Sequence, residues 1–246
     1  MHQLFETYAH RYDLHTPPGH YKHDHAFVLD RVASLGRPHT RLFDVGCGTG
    51  VFLELAIANG IDAHGADAAE GMVRAAADRL TSSRVRVERM QDFDEVARYD
   101  VITCLSWTLH YCDDEADLRR IISALAKGLT AGGLLLLQVA NPDRMNVGPG
   151  IDREPGPEGQ PDDILFIHRF SPQPGPDAEV LADYIYVGQS AGELLVEQHR
   201  LRCCDPELVA GAMRDAGLED VSIVDLMSVS PFVAGRAREL RDAESK

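Results

Sequence analysis

Paired cysteines and long apolar runs are scarce in this sequence, and each scarcity excludes a class of protein. The five cysteines are odd in number and include no Cys-x-x-Cys pair, so neither a disulfide framework nor a zinc site is predicted. The leucine run 134–137 is far too short to span a bilayer, and no basic-then-apolar segment starts the chain. We therefore expect a cytoplasmic protein with reduced thiols.

Acidic residues outnumber basic residues, and this excess indicates which binding partners the protein can have. The 246 residues include 24 basic and 39 acidic side chains, and the formal net charge is −15. Such a charge repels phosphate backbones and anionic lipid surfaces, so neither nucleic acid nor membrane is an expected partner. A small-molecule acceptor is favoured, and a homodimer is left open. The length suits one sizeable α/β domain with an elaboration.

The most informative stretch is a short apolar run followed by three glycines at alternate positions. Leu42 and Phe43 predict a buried strand, and a helical pattern begins at Val51. Glycines let the backbone turn sharply and lie against a ligand, and the free N–H groups of the next helix favour a polar group. The glycines do not follow the Gly-x-Gly-x-x-Gly spacing of dinucleotide-binding proteins, and Asp44 precedes them. This acid favours a cationic ligand carrying an ammonium group.

Residues 44–50, with the sequence Asp-Val-Gly-Cys-Gly-Thr-Gly, resemble motif I of the class I S-adenosylmethionine-dependent methyltransferases. The resemblance implies S-adenosyl-L-methionine as cofactor and S-adenosylhomocysteine as product. It also implies an α/β fold, with a doubly wound, seven-stranded, mostly parallel sheet of the Rossmann-like methyltransferase type whose last strand is antiparallel. The loop residues expected to bind the cofactor are Asp44, Gly46, Cys47, Gly48, Thr49 and Gly50.

Further candidate cofactor residues follow the next predicted strands. A strand over 61–66 ends in Asp67, 23 residues after the acid of the glycine-rich loop, where an α/β nucleotide fold places the acid that accepts both ribose hydroxyls. In the resemblance, Met72 lies near the adenine, Asp92 accepts the adenine amino group and Phe93 covers the ring. Plain core packing is the alternative for Met72.

The fourth predicted strand runs into a segment similar to motif IV of the family. There the chain passes under the methionine part of the cofactor and faces the acceptor, which implies cofactor contacts for Leu105 and Ser106. Tyr111 is expected on the acceptor side. His110 is the candidate general base, because a histidine with a pKa near neutrality can remove a proton from a hydroxyl or an acidic carbon. A packing role for His110 is the alternative, and an amine acceptor needs no base.

The N-terminal region predicts a helical lid. Tyr8, Tyr12 and Tyr21 lie before the first strand of the sheet, and six of the 11 histidines fall within the first 25 residues. We expect this lid to fold over the cofactor and the acceptor. His20, His23 and His25 lack an acidic or thiol partner at a fixed spacing, so no metal site is predicted.

The chain divides into four predicted regions. They are a helical lid over 1–40, a cofactor-binding core over 41–140, an inserted β flap on the acceptor side over 141–204, and a completion of the core sheet over 205–246. The flap follows from three strand-like runs at hairpin spacing, 164–169, 180–187 and 194–202, after a segment rich in glycine and proline.

The sequence predicts transfer of a methyl group to nitrogen or oxygen of a small-molecule acceptor in bacterial secondary metabolism, with antibiotic biosynthesis as one setting. The lid and the insertion resemble in layout the small-molecule natural-product enzymes, including the sugar N,N-dimethyltransferases. The proline-rich segment 148–161 and the His110-Tyr111 pair depart from those enzymes. The alternatives are a cofactor-bound protein that catalyses a cyclisation or rearrangement, or only binds, and a nicotinamide-dependent reductase.

Overall fold

A computed structural model describes residues 2–146, 148–154, 164–175, 178–188, 192–225 and 227–239. The helices are α1 (Tyr12–His15), α2 (Lys22–Ala33), α3 (Val51–Ala58), α4 (Glu70–Arg79), α5 (Glu115–Gly128) and α6 (Pro206–Asp215). The strands are β1 (Arg41–Val45), β2 (Asp62–Asp67), β3 (Val85–Val87), β4 (Tyr99–Cys104), β5 (Leu129–Gln138), β6 (Gly150–Glu154), β7 (Ile164–Pro172), β8 (Val180–Gly188), β9 (Glu193–Leu201), β10 (Glu219–Val224) and β11 (Phe232–Arg236). Short 3₁₀ turns cover Ala9–Arg11, Met90–Asp92, Thr108–Tyr111 and Pro142–Arg144.

The main sheet of the described residues has seven strands in the order β10-β11-β5-β4-β1-β2-β3. The pairs among β1 to β5 are parallel, whereas β11 is antiparallel to both β5 and β10. This arrangement confirms the predicted fold class. The strand order reverses beside β1, so the glycine-rich loop that follows β1 opens at the carboxyl edge, where α/β sheets bind their ligands.

Apolar residues cover both faces of this sheet, because successive side chains of a strand point in opposite directions. Leu42 and Phe43 in β1 are both fully buried but belong to different apolar clusters. The Leu42 cluster takes in residues of α2 and α3, and the Phe43 cluster takes in residues of α5 and α6. Burial on both faces fixes the carboxyl edge of the sheet as a rigid support for the loops.

Capping residues set the ends of the later helices. Asp114 accepts a hydrogen bond from the Asp117 N–H at 2.8 Å and starts α5. Asp205 accepts one from the Glu207 N–H at 2.8 Å and starts α6. After α6, the strands β10 and β11 form the expected closing hairpin.

A second, antiparallel sheet, here called the inserted sheet, pairs β6, β7, β8 and β9 in that order. Three of its strands match the predicted runs, whereas β6 was not predicted because it lies in a segment rich in glycine and proline. Residues 155–163 of that segment, and the predicted frayed tail 240–246, lie outside the described residues. No helix within the described ranges is both long and apolar enough to cross a membrane.

The strand after α4 is shorter than predicted. The sequence Val-Arg-Val-Glu-Arg-Met at residues 85–90 predicts a strand, but β3 ends at Val87 and a 3₁₀ turn follows at Met90–Asp92. This difference changes which side chains of the 85–93 stretch reach the ligand site, as described below.

Candidate active site

A cavity of about 620 Å³ opens at the carboxyl edge of the parallel strands. Three parts of the chain line it. The first is the glycine-rich loop with the strand ends beside it, the second is the N-terminal segment (residues 2–21), and the third is the inserted sheet. A volume of this size is ordinary for a small-molecule site.

The glycine-rich loop is held by the neighbouring strand and exposes main chain to the cavity. The N–H groups of Gly46 and Cys47 donate to the Ala66 carbonyl at 2.7 and 3.0 Å, which ties the loop to β2. Gly48 has a φ of +54°, and a Cβ added there would meet nothing within 4 Å. Since Gly48 also lines the cavity, its bare backbone is free to lie against a ligand.

Gly50 has a different role from the one predicted. It does not line the cavity, and a Cβ on it would lie 3.1 Å from the Cβ of Ala76 in α4. With a φ of +80°, Gly50 lets α3 begin close against α4. The prediction that it contacts the cofactor is therefore wrong, because the third glycine serves helix packing.

Asp67 at the end of β2 lines the cavity and also holds the loop. Its carboxylate accepts hydrogen bonds from the Gly48 N–H at 3.0 Å and from the Ala69 N–H at 2.9 Å. Burial raises the pKa of Asp67, and these two N–H donors oppose that rise. One side chain thus couples the loop to the start of α4, at the place where the sequence predicted the ribose acid.

Asp44 is 2% exposed and lies at the end of β1, in the wall of the cavity. The Thr103 hydroxyl donates to its Oδ1 at 2.6 Å. Burial raises the pKa of Asp44 to about 7, Thr103 opposes this rise, and the charge of Asp67 adds to it. A cationic ligand beside Asp44 would favour its ionised form.

The other predicted cofactor residues divide into those that reach the cavity and those that do not. Cys47, Thr49, Met72, Leu105 and Ser106 all line it. Ser106 and the next residue, Trp107, have φ values of +49° and +64°, two consecutive left-handed conformations outside glycine. Such strain is uncommon and concentrates at ligand sites.

The predictions for Asp92 and Phe93 are wrong. Asp92 is exposed, and Phe93 is buried in the core with its ring centroid 5.5 Å from that of Phe43. Neither side chain lines the cavity, whereas Met90 and Gln91 do. The 3₁₀ turn that replaces the end of the predicted strand moves the cavity-facing positions toward the N-terminus.

The role predicted for His110 as a general base is also wrong. His110 is fully buried and does not line the cavity. Its Nε2 accepts a hydrogen bond from the Ala140 N–H at 2.8 Å, and its Nδ1 lies 2.9 Å from the Arg202 carbonyl. Burial lowers the pKa of His110 to about 4. This histidine joins the ends of β5 and β9 through their main chain.

Three of the four predicted tyrosines line the cavity. Tyr12, Tyr21 and Tyr111 do so, and the Tyr21 hydroxyl is hydrogen-bonded to Ser106 and Tyr12. Tyr8 instead packs edge-to-face on Tyr186 of the inserted sheet, with ring centroids 5.2 Å apart. Its predicted place in the site is wrong, because its ring anchors the N-terminal segment to that sheet.

The N-terminal segment contacts both the glycine-rich loop and α4. Asp13 accepts a hydrogen bond from the Thr49 hydroxyl at 2.6 Å and pairs with Arg79. Near the other end of the segment, the main chain of Glu6 packs directly on Gly71 in α4, where an added Cβ would overlap it. These contacts hold the segment against the glycine-rich loop and α4, and its role as a lid stays a prediction.

The inserted sheet supplies cavity residues that the sequence analysis missed. Phe166, His168 and Phe170 alternate along β7 and line the cavity, together with Tyr184 of β8. An alternation of period two was visible in the sequence and places these three side chains on one face of a strand. What the pattern lacked was any sign of which face meets the cavity.

A cluster of potential metal ligands lies beside this wall. In the part of the chain that the structure describes, the ligand atoms of His2, Glu197 and His199 lie within 4.8 Å of one another. Of the histidines considered from sequence, His20 and His25 line the cavity and His23 is exposed. The His2 cluster joins the N-terminal segment to β9, a pairing with no signal in the sequence.

Comparison with known proteins agrees with this geometry. Residues 43–135 match the model of a family described as a methyltransferase domain. A dTDP-4-amino-2,3,4,6-tetradeoxy-D-glucose N,N-dimethyltransferase from Saccharopolyspora spinosa is 29% identical over an alignment of 157 residues that covers 56% of this chain and 61% of that protein. A ubiquinone biosynthesis O-methyltransferase from Xanthomonas campestris is 33% identical over 46% of this chain and 48% of its own length. The chain thus spans at most 61% of the length of either curated relative.

Solved structures extend the likeness beyond the core. An amino pentose methyltransferase from Micromonospora echinaspora, involved in calicheamicin biosynthesis and solved with S-adenosylmethionine bound, has a TM-score of 0.71 at 26% identity, covering 88% of this chain and 92% of its own. A sugar N-methyltransferase from Streptoalloteichus has a TM-score of 0.71 at 28% identity, covering 85% of each chain. These likenesses do not favour a nicotinamide-dependent reductase or a rearrangement catalyst. With its seven-stranded sheet, its glycine-rich loop and the match over residues 43–135, the chain contains a methyltransferase domain and is similar to S-adenosylmethionine-dependent methyltransferases of natural-product biosynthesis.

Proposed function

We propose that this protein transfers the methyl group of S-adenosyl-L-methionine to an amino group of a small-molecule acceptor, of the amino-sugar class, in a natural-product pathway. The observation that carries the proposal is that a single cavity joins the glycine-rich loop to an aromatic wall of the inserted sheet. The names of the relatives in Saccharopolyspora, Micromonospora and Streptoalloteichus support the acceptor class.

The glycine-rich loop and the strand ends beside it fit this cofactor. Gly48 leaves main chain bare against the cavity, Asp67 offers a carboxylate for ribose hydroxyls, and the buried acid Asp44 suits an ammonium group. When bound, the cofactor supplies an activated methyl group on a sulfonium. The chain's own residues then have to position the acceptor and exclude water.

The part of the cavity between the N-terminal segment and the inserted sheet, here called the acceptor half, supports nitrogen as the methylated atom. Aromatic side chains from β7 and β8 and tyrosines from the N-terminal segment form its wall. His110, the base predicted from sequence, is buried with both ring nitrogens bonded to main chain. A neutral amine is nucleophilic enough to attack without a general base, whereas a hydroxyl usually needs one, so the burial of His110 is compatible with an amine acceptor.

Two measurements test the proposal. S-adenosylmethionine or S-adenosylhomocysteine at about 100 times its Kd should stabilise the fold by about 2.7 kcal/mol, whereas NADPH should not. Incubation with dTDP-4-amino-2,3,4,6-tetradeoxy-D-glucose should then give mono- and dimethylated product by mass spectrometry, with a ubiquinone-type catechol as the O-methylation control. Methylation of the catechol alone would reject the amine proposal.

The remaining expectations stay predictions. They are a cytoplasmic location, the absence of nucleic-acid and membrane partners, a possible homodimer, and the division into four regions at residues 40, 140 and 204. Light scattering at two protein concentrations would decide the oligomeric state.

A further inference from the structure

Tyr111, His199 and Glu197 form a hydrogen-bonded row that runs from the cavity wall into the inserted sheet. The Tyr111 hydroxyl lies 2.7 Å from Nδ1 of His199, and Nε2 of His199 lies 3.3 Å from Oε2 of Glu197. Tyr111 lines the cavity, whereas His199 is fully buried. The row thus joins a tyrosine of the cavity wall to a carboxylate behind it.

The charge of Glu197 decides where the hydrogens of the row lie. Burial raises the pKa of Glu197, but the N–H groups of Leu4 and Gln3, at 3.0 and 2.7 Å, together with His199 outweigh it and hold the pKa below its usual value. An ionised carboxylate only accepts hydrogen bonds, so Nε2 of His199 carries the ring hydrogen. Nδ1 then has a free lone pair, and the Tyr111 hydroxyl donates to it.

The surroundings of His199 keep its ring neutral. The groups that face it are His2, with ring centroids 3.6 Å apart, Tyr184 at 4.8 Å, Tyr111 and Glu197. Burial lowers the pKa of His199 to about 4, with His2 adding to this effect and Glu197 opposing it. Because Glu197 accepts from two main-chain N–H groups and also from Nε2 of His199, Nδ1 remains the acceptor of the Tyr111 hydroxyl.

The direction of this hydrogen bond defines what the cavity presents to an acceptor. The single hydrogen of the Tyr111 hydroxyl is used by His199, so the oxygen offers only lone pairs to a bound molecule. Resting on the methyl transfer proposed above, we propose that Tyr111 accepts a hydrogen bond from the N–H of the acceptor amine. In this proposal His199 and Glu197 are positioning residues that fix the direction of the Tyr111 hydroxyl.

This arrangement orients the nucleophile and selects for it. An amine held through an N–H has its own lone pair free to point toward the methyl donor, and fixed orientation of this kind accelerates a displacement. A carbonyl or ether oxygen at the same place would face lone pairs and be rejected. No proton is transferred in this step, because Tyr111 keeps its hydrogen on the His199 side.

The hydrogen positions can be measured without turnover. In protein labelled with nitrogen-15 histidine and saturated with S-adenosylhomocysteine, the His199 signals are assigned by their loss in His199→Asn. We expect a neutral ring with its hydrogen on Nε2 between about pH 6 and pH 8, and a shift of the Nδ1 signal in Tyr111→Phe. A hydrogen on Nδ1, or an Nδ1 signal that ignores Tyr111→Phe, overturns the proposal.

Kinetics with dTDP-4-amino-2,3,4,6-tetradeoxy-D-glucose test the effect on the acceptor. Tyr111→Phe and His199→Leu should raise the acceptor KM by about 10- to 100-fold, while the Kd of S-adenosylhomocysteine stays unchanged. His199→Asn should recover part of this loss, because its amide oxygen can accept where Nδ1 did. Tyr8→Phe is the matched control, since Tyr8 packs on Tyr186 outside the cavity and should leave KM unchanged.

Three outcomes contradict the proposal. Equal losses in His199→Leu and His199→Asn, or a parallel loss of S-adenosylhomocysteine binding, would indicate that the row is only structural. Stoichiometric uptake of Zn²⁺ that is lost in His199→Asn would assign His2, Glu197 and His199 to a metal site. If the wild-type protein methylates no amine, the proposed function fails, and the NMR measurement still decides the hydrogen positions in the row.

Discussion

The two halves of the cavity are built in different ways. The cofactor half comes from one short stretch, residues 44–49, and from the next strand, whose Asp67 lies 19 positions from its partner Gly48. The acceptor half joins the N-terminal segment to the inserted sheet, as in the contact of Gln3 with Glu197, 194 positions apart. The cofactor half uses main chain, glycines and the carboxylates of Asp44 and Asp67. The acceptor half uses aromatic and hydrogen-bonding side chains.

This difference predicts which residues of the cavity tolerate substitution and which do not. Main chain that lies against a ligand tolerates almost no change, because any Cβ occupies the space of the ligand or strains the turn. Aromatic side chains on strands can be exchanged without altering the ladder that holds them. The cofactor half should therefore fail in binding when it is mutated, whereas the acceptor half should fail in turnover.

The largest effect is expected for Gly48→Val. Its φ of +54° is strained for a branched side chain, and the added atoms would enter the cavity, so S-adenosylmethionine binding should be abolished in calorimetry. Gly60→Val is the matched control, with a φ of +80°, open space around its Cβ and no contact with the cavity. It should be destabilised by about 1–3 kcal/mol but should still bind the cofactor. Normal binding by Gly48→Val would show that the loop is not the cofactor site.

Gly71→Ala tests how the N-terminal segment closes over the cavity. The new Cβ would overlap the main chain of Glu6, so the segment should be displaced and turnover should fall about 10²-fold. Gly211→Ala in α6 has open space and should instead gain about 1 kcal/mol in the free energy of unfolding with unchanged turnover. Equal turnover in the two variants would contradict a closing role for the segment.

Asp67→Ala should weaken the cofactor half by a smaller amount. It removes the acceptor of the Gly48 and Ala69 N–H groups and the carboxylate expected at the ribose, which should cost about 1–3 kcal/mol of cofactor affinity. Calorimetry measures this loss, and the acceptor KM at saturating cofactor should change little. An unchanged Kd would remove Asp67 from the site.

The smallest effect is a pH dependence that arises from Asp44. Burial raises its pKa from 3.8 to about 7, so folding favours the protonated form. The stabilising contribution of Asp44 is complete below about pH 4 and is lost as the pH rises through about 7 in the ligand-free protein. Urea unfolding at several pH values measures this decrease.

Cofactor affinity should show the opposite trend, because the ionised form of Asp44 favours an ammonium group. The Kd of S-adenosylmethionine should improve about tenfold from one pH unit below the pKa of Asp44 to its plateau above it. Asp44→Asn should bind weakly and without this pH dependence. A flat profile in the wild-type protein would contradict an ionic role for Asp44.

The sequence predicted much of the fold and about half of the site. Asp44, Gly48 and Asp67 line the cavity, where local spacing and strand ends led us to expect a ligand, and their contact with the cofactor stays a prediction. His110 and Phe93 do not line the cavity as predicted, because position along the sequence does not say which way a side chain points after a strand. His199 had no signal, because its partners Tyr111 and His2 come from distant parts of the chain.

The sequence by itself determined the strand, glycine-rich turn and helix of residues 42–58, since hydrophobic periodicity and glycine spacing act over a few residues. The resemblance of residues 44–50 to a methyltransferase motif implied the seven-stranded sheet and the cofactor. The tertiary structure alone decided that Gly50 packs helices and that His110 joins main chains. It also decided that Tyr111, His199 and Glu197 form a hydrogen-bonded row behind the cavity wall. The physical reason is that long-range packing, and not local propensity, fixes the direction and the burial of a side chain. Direction and burial then determine which groups face a ligand and which of their atoms carry a hydrogen.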